Sequence, residues 1–416
     1  MKLVIPATIN ERKTCRICYS DKLEFLYTLG NLYISNFVKP GQSGLKAPLE
    51  MLICMNCSLV QLRHTAPQDL IYSRFYWYRS GVTETMKQAL RDITLEIERL
   101  VDLQKGDIVL DIGSNDGTLL RSYTQMGLIK IGFEPALNLI NEGKRGVDIF
   151  INDFWSAKLY KKKATKKAKV ITAIGMFYDM EDPNTFIKDA AEIIAKDGIF
   201  IAQLMCLKNM IDTNDVGNIC HEHLEYYSLA ALNYLFNKNG FELIDIEKNQ
   251  VNGGSYRLFI RPFGGTIKPF KGAKKRLKYY FSQEKNMGSK KVHLDFFKRV
   301  KANKKKTVDF IKKQINKGKR VWVYGASTKG NTILQFFGLD NRLLEGASDR
   351  SPEKWHKETI GTRIPIYDEE TARKAYPDYF LVLPYAFISE FIKREKQWLK
   401  KGGRFILPLP EFKIVP

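Results

Sequence analysis

Three constellations in this chain combine residue types that do chemistry at useful spacings. The first is Val109-Leu110-Asp111-Ile112-Gly113-Ser114-Asn115-Asp116-Gly117-Thr118-Leu119-Leu120. Residues 108–112 read as a buried parallel strand, and a helix is expected to start near Thr118. Gly113 and Gly117 carry no Cβ, so a ligand can lie against the backbone where strand turns into helix. A second strand, Lys130-Ile131-Gly132-Phe133-Glu134, ends in an acid 21 residues after Gly113. Its carboxylate can accept hydrogen bonds from both hydroxyls of a ribose. The G-x-x-x-G spacing is not the G-x-G-x-x-G of dinucleotide folds, and the Lys-Ser/Thr pair of a P-loop is missing. Loop and acid together describe a cradle for a nucleoside.

The second constellation is a pair of C-x-x-C knuckles, Cys15/Cys18 and Cys54/Cys57. In a reducing compartment such pairs are metal ligands more often than disulfides, and four thiolates make a closed tetrahedral zinc site. A closed site leaves no open position for catalysis, so the metal is expected to staple a small domain. The 35 residues between the knuckles exceed what a minimal ribbon needs, which requires an insertion to loop out. The third constellation is Cys220-His221-Glu222-His223, followed by Tyr226-Tyr227-Ser228. Two histidines and one acid make an incomplete metal set. General acid–base work fits better, because an imidazole titrates near neutrality and a carboxylate can fix its tautomer.

These residues need elements to hold them, and 416 residues provide for two or three domains. Residues 1–72 read as a β-rich zinc-binding domain, with strand-like runs at 25–29, 52–53 and 59–62. The aromatic stretch 72–81 leads into an amphipathic helix over 83–103. Strands at 108–112, 130–134, 147–151, 170–174, 198–204, 241–247 and 255–261 alternate with helices, which predicts a doubly wound α/β sheet with an antiparallel end. This second domain is assigned to residues 73–290, with 266–290 as a basic linker. In 291–416, apolar residues at helical spacing (Phe297, Val300, Val308, Ile311, Ile315) are interrupted by Lys304. They precede a second strand–glycine–helix unit, Val321 to Thr332. Further strands at 344–348, 363–366, 379–382 and 404–407 complete a smaller Rossmann-like α/β domain.

No apolar run approaches the ~20 residues of a membrane span, and the apolar part of Met1–Pro6 is too short for a signal peptide. A cytoplasmic protein without membrane contact is expected. The net charge of +22 is concentrated, with 20 Lys/Arg against three acids between Lys268 and Arg320. Solvated lysine faces of helices account for such a field, and nucleic acid is not an expected partner.

Five motifs occur in order: the paired knuckles, D-I-G-S-N-D-G, H-E-H-x-x-Y-Y-S, G-G-S-x-R at residues 253–257 and G-A-S-T-K-G-N-T at 325–332. The glycine loop with its acid resembles the cofactor cradle of S-adenosylmethionine (SAM) methyltransferases. The whole arrangement is similar to the three-domain, zinc-containing sugar C-methyltransferases, which methylate a ring carbon of nucleotide-linked keto-deoxysugars.

The resemblance implies that Asp111, Gly113, Asn115, Gly117 and Glu134 hold SAM. It makes His223 the base that removes the proton beside the sugar ketone (C3 of a 4-keto-deoxysugar), supported by Glu222 and His221. A donor to the ketone oxygen is then needed, and either Tyr76 or Tyr78 is the candidate. Arg257, Ser327, Lys329 and Asn331 are the expected substrate contacts, with the 325–330 loop at the diphosphate. Two departures stand out. Cys220 occupies the place of the family's usual Tyr, and Tyr178 and Asp179 stand where a His is common. They become further catalytic candidates. A monomer or weak homodimer is expected. The competing readings are a SAM enzyme on another small acceptor, a zinc-containing nucleic-acid protein, and a nicotinamide dehydrogenase, the last disfavoured by the absent fingerprint.

Overall fold

The computed structural model describes residues 8–73 and 75–416; Met1–Pro6 and Arg74 of the aromatic stretch lie outside them. Its centre is a seven-stranded sheet. We number its strands β1 (Ile108–Ile112), β2 (Ile129–Phe133), β3 (Ile149–Ile151), β4 (Ala168–Ile174), β5 (Ile194–Met205), β6 (Phe241–Asn249) and β7 (Ser255–Pro262). The spatial order is β6-β7-β5-β4-β1-β2-β3, with β1 to β5 mutually parallel where they pair and β7 antiparallel to both neighbours. All five residues of β1 are buried, because helices cover both faces: Leu110 enters one apolar core and Val109 the other. The strand order reverses between β1 and β4, and ligands of open α/β sheets sit outside the strand ends at such a point.

The zinc unit is a four-stranded antiparallel sheet built on the hairpin Leu23–Tyr33 and Lys46–Cys54. Its edge strand comes from elsewhere: Glu225–Tyr226, two residues past His223, pairs with Val60–Leu62. The insertion between the knuckles also reaches outward. Phe37–Val38 pairs with Glu358–Thr359 of the C-terminal part, and Tyr33 N donates to Gln335 Oε1 at 2.8 Å.

The C-terminal part is a six-stranded sheet, parallel from Ile366–Tyr367 through Ala347–Ser348, Val321–Tyr324 and Tyr379–Val382 to Arg404–Leu407. An antiparallel strand, Lys413–Val415, closes its edge. The two α/β layers and the zinc-bearing unit agree with the fold expected from sequence. The basic linker does not, because residues 273–283 form a helix. Arg276 there clamps the buried carboxylate of Asp245, while Leu277, Tyr280 and Phe281 pack on the core. The long helix Lys290–Ile315 buries Phe296, Val300 and Ile311, but also His293, Asn303 and Thr307. Lys298, Lys301, Lys305, Lys306, Lys312 and Lys313 remain exposed.

Candidate active site

A cavity of about 880 Å³ opens over the parallel strand ends, and all three parts of the chain line it. The glycine loop forms one wall. Gly113 (φ +72°), Asn115 (+52°) and Gly117 (+76°) all adopt left-handed backbone. That lets Gly113 N and Ser114 N both donate to Phe133 O, at 2.9 and 2.8 Å, and draws the loop onto the end of β2. Glu134 then accepts from Asn115 N and Ala136 N, both at 2.9 Å, one on each oxygen. Each oxygen keeps a lone pair for a ribose hydroxyl. Burial pushes this carboxyl upward in pKa. Asp153 and Phe154, just beyond β3, line the same wall.

The loop fits a nucleoside cofactor because it leaves room at Gly113, where a Cβ would meet Met176 Cγ at 2.9 Å. Gly113→Val strains the left-handed turn and fills the cradle together. Differential scanning fluorimetry is expected to show SAM raising the melting temperature of the native protein but not of this variant. Asp111 and Gly117 support the loop from behind and do not line the cavity. Asp111 accepts from Thr172 Oγ1 at 2.6 Å, and burial raises its carboxyl to about 7. Gly117 begins the short helix Thr118–Arg121.

A strap over residues 76–81 crosses this wall without regular secondary structure up to Arg79, and the loop's own side chains hold it. Asn115 accepts from Ser80 N at 2.9 Å and donates to Tyr78 O at 3.1 Å. Asp116 accepts from Gly81 N at 2.6 Å. Asn138 both accepts from Tyr76 N and donates to Tyr76 O, at 2.9 and 3.0 Å. Sequence reasoning missed Asp116 and Asn138, since their partners lie 35 and 62 residues away. The strap separates the two tyrosines. Tyr76 lines the cavity with a phenol that burial, and then the nearby Asp179, holds well above its ordinary pKa. Tyr78 also lines it but is 43% exposed.

His223, Glu222, Tyr178, Asp179 and Cys220 line the same cavity. His223 Nδ1 lies 2.8 Å from Asn218 O, and a carbonyl only accepts, so Nδ1 carries the proton and Nε2 is left as the basic nitrogen. The Tyr178 ring packs edge-on at 4.6 Å, and its backbone carbonyl accepts from Leu224 N and Glu225 N. Burial first, then the Lys329 ammonium, holds the imidazole down at about 3. Asp179 Oδ1 and Glu222 Oε2 are buried without a hydrogen-bond partner, and burial raises both carboxyls. Buried orphan oxygens beside a cavity are what an absent polar ligand leaves. Tyr72, which donates to Glu222 O at 2.7 Å, and Asn218 were not anticipated. His221 is placed apart: its Nε2 lies 2.9 Å from Ala47 O in the zinc unit, and it does not line the cavity.

Of the four residues assigned to substrate, Ser327 and Lys329 line the cavity. Arg257 and Asn331 do not. The Arg257 guanidinium is taken by Glu96 and Glu247, with Nε donating to Gln203 Oε1 at 3.1 Å. Asn331 Nδ2 donates to Asn36 O at 2.8 Å, a clasp between the C-terminal helix and the zinc unit's insertion.

The four knuckle sulfurs lie within 4.8 Å of one another, with Cys15···Cys57 and Cys18···Cys54 both at 3.4 Å. Thiolates 2.3 Å from one zinc stand about 3.8 Å apart at tetrahedral angles, so the set fits the metal. Arg16, within the first knuckle and fully buried, donates to Leu62 O (2.6 Å) and Thr65 Oγ1 (2.7 Å). It also reaches Glu181 at 3.3 Å and Glu225 at 3.6 Å, residues that flank the His223 segment and the Tyr178–Asp179 pair.

Residues 15–72 match the family model of a zinc binding domain, 82–246 that of a methyltransferase domain, and 250–410 that of a C-methyltransferase C-terminal domain. The chain is 28% identical over 410 residues to the C-methyltransferase NovU of Streptomyces niveus, covering 96% of each. Among solved structures, it is similar to the magnesium protoporphyrin IX methyltransferase of Synechocystis with bound S-adenosylhomocysteine (SAH) at 14% identity. That match has a TM-score of 0.34 and covers 45% of this chain and 90% of the other. Three matched models in chain order, the four-cysteine cluster and a full-length C-methyltransferase relative together place the chain in the three-domain, zinc-containing, SAM-dependent C-methyltransferases.

Proposed function

We propose that the acceptor is a ring carbon, C3, of a nucleotide-linked 4-keto-deoxysugar, and that His223 is the base. The observation that carries this reading is the oriented imidazole. Asn218 holds Nδ1, and Nε2 is the nitrogen left to take a proton in the cavity that the SAM loop lines. SAM, when bound, supplies an electrophilic methyl group. A carbon beside a ketone becomes a nucleophile once it loses a proton, which is work for one positioned base. Tyr76 is the phenol placed to hydrogen-bond the ketone oxygen. Asp179 and Glu222, with unpartnered oxygens, receive sugar hydroxyls. The methyl group then joins the ring carbon while the strap and the insertion keep bulk water from the enolate.

The test needs no methyl donor. In deuterated water the protein is expected to exchange the proton at C3 of a nucleotide-linked 4-keto-deoxysugar, followed by mass spectrometry. Methylated product should appear when SAM is added. Methyl transfer to another acceptor without exchange at any ketone-adjacent carbon would overturn the sugar reading.

A further inference from the structure

We propose that Lys329 is the electrophilic catalyst of this enolisation: its ammonium, carried into the cavity by the first turn of the Thr328–Phe337 helix, stabilises the oxygen on which the enolate charge develops. The proposal rests on the substrate reading above and assigns Lys329 a different task from gripping a diphosphate.

Placement is the first argument. The helix bearing Lys329 packs on the Val216–Asn218 turn. A Cβ on Gly217 would meet Ile333 Cδ1 at 3.0 Å and Lys329 O at 3.4 Å. The next residue of that turn, Asn218, orients His223 through its carbonyl. One turn therefore sets both the base and the cation, although 106 residues separate them in the chain. Lys329 lines the cavity with His223, Asp179 and Glu222, and among the described residues no carboxylate comes within ion-pair distance of it. A half-buried ammonium that makes no close ion pair, its charge felt by the buried carboxyls of Asp215 and Asp179 from further off, stands beside orphan polar atoms and suits a ligand's negative charge.

Part of the loop around it is closed to a phosphate. Gly325 N donates to Ser348 O, Ala326 N to Asp349 Oδ2, Gly330 N to Ser327 Oγ and Asn331 N to Ser327 O. With these four amides used internally, and Asp349 (itself paired with Lys354) 2.9 Å from one of them, a diphosphate at this loop is left the amides of the helix's first turn and does not require the Lys329 ammonium. The third argument is acid–base matching. Burial and the neighbouring ammonium make His223 a weak base, so proton loss from carbon proceeds only if the enolate is strongly stabilised. A buried phenol, held well above its ordinary pKa, supplies no charge, whereas Lys329 does.

The electrons balance. The C–H pair becomes the ring C=C bond, the carbonyl π pair moves to oxygen opposite Lys329, and the proton goes to His223 Nε2. The oxygen then re-forms the carbonyl as the new C–C bond is made. The methyl–sulfur bond breaks with its pair kept by sulfur.

The test compares wild type, Lys329→Met and Lys329→Arg with a nucleotide-linked 4-keto-deoxysugar. It follows deuterium exchange without SAM, methyl transfer with it, and calorimetric affinity for the matching free nucleoside diphosphate. Lys329→Met should slow exchange and methyl transfer together by about 10²–10³-fold at saturating substrate. Nucleoside diphosphate affinity should stay within about threefold of wild type, and Lys329→Arg should recover part of the rate. Near-normal exchange at saturation with a large loss of nucleotide affinity would overturn the proposal and return Lys329 to the diphosphate. No exchange by wild type would overturn the substrate reading itself and the proposal with it. If the Met variant lacks the SAM-induced shift in melting temperature, Lys329→Gln carries the same comparison.

Discussion

His223→Ala is expected to lower methyl transfer by about 10²–10⁴-fold, the usual cost of losing a positioned general base, while the SAM-induced shift in melting temperature survives. Binding survives because His223 makes no hydrogen bond to the Gly113–Glu134 cradle; its ring is held by Asn218 O. Exchange at C3 should fall in parallel, since it needs the base and no methyl donor. The pH dependence carries an independent signature. In the folded protein the imidazole stays neutral down to about 3, whereas an unhindered histidine titrates near roughly 6.5. The acid limb of the free enzyme's kcat/KM profile should therefore lie well below pH 6.5, leaving activity level through that value. The same shift makes the unfolded chain bind the extra proton first, so this group withdraws stability as pH falls from about 6.5 toward 3. A sharp fall of kcat/KM centred at pH 6.5, or exchange persisting in His223→Ala, would move the base elsewhere. Tyr178 and Asp179 are then the next residues to replace.

Removing the zinc should have the largest effect on stability. Structural zinc in small knuckle domains is worth an apparent ~10–16 kcal/mol at neutral pH, far above the net stability of most domains. Arg16 extends the damage inward. It sits between the first two ligands and is the cation nearest the buried Glu225, whose carboxyl burial raises and Arg16 pulls back down. Breaking a buried pair of this kind costs on the order of 3–5 kcal/mol. Elemental analysis should find one zinc per chain. Chelation or Cys54→Ser should lower the melting temperature by many degrees and release the catalytic wall along with the zinc unit. Unchanged thermal stability after full metal removal would refute the structural role.

What could be read from sequence divides along physical lines. β1, Tyr379–Val382 and Arg404–Leu407 were legible to the residue, because a strand covered on both faces is a short, predominantly apolar run. The glycine loop, Glu134 and the cysteine knuckles were legible because local geometry and ligand chemistry dictate their spacing. The Ala273–Gln283 helix was hidden: Ala273 is its one buried residue, and Leu277, Tyr280 and Phe281, which pack on the core only in part, are diluted among four Lys and Arg residues. The stripe of the Lys290–Ile315 helix, Phe297, Val300, Val308, Ile311 and Ile315, does pack on the core but was incomplete. Asn303 and His293 face inward to reach Pro410 O and Met287 O, and no hydrophobic pattern records them. At the site, Tyr72, Asn138 and Arg16 act through contacts between distant segments, and Asn218 acts through a backbone carbonyl, which its side-chain type does not reveal. Arg257 and Asn331 sit in conspicuous motifs yet serve neighbours within the chain.

The strand Glu225–Tyr226 bears on how this enzyme can be taken apart. By sequence the chain parses into modules, but the zinc unit's sheet is completed by a piece of the catalytic wall. A truncated chain lacking the first 72 residues would expose two severed joints. One is an orphan strand beside His223; the other is the pair Glu225 and Lys238, stripped of Arg16 and of Ile17 O. Unpaired strands of that kind recruit other chains. The zinc unit and the methyl-transferring domain are thus one cooperative body, to be exchanged between relatives only together, and chimeras spliced near residue 72 should aggregate while those spliced beyond Tyr227 keep the joint intact.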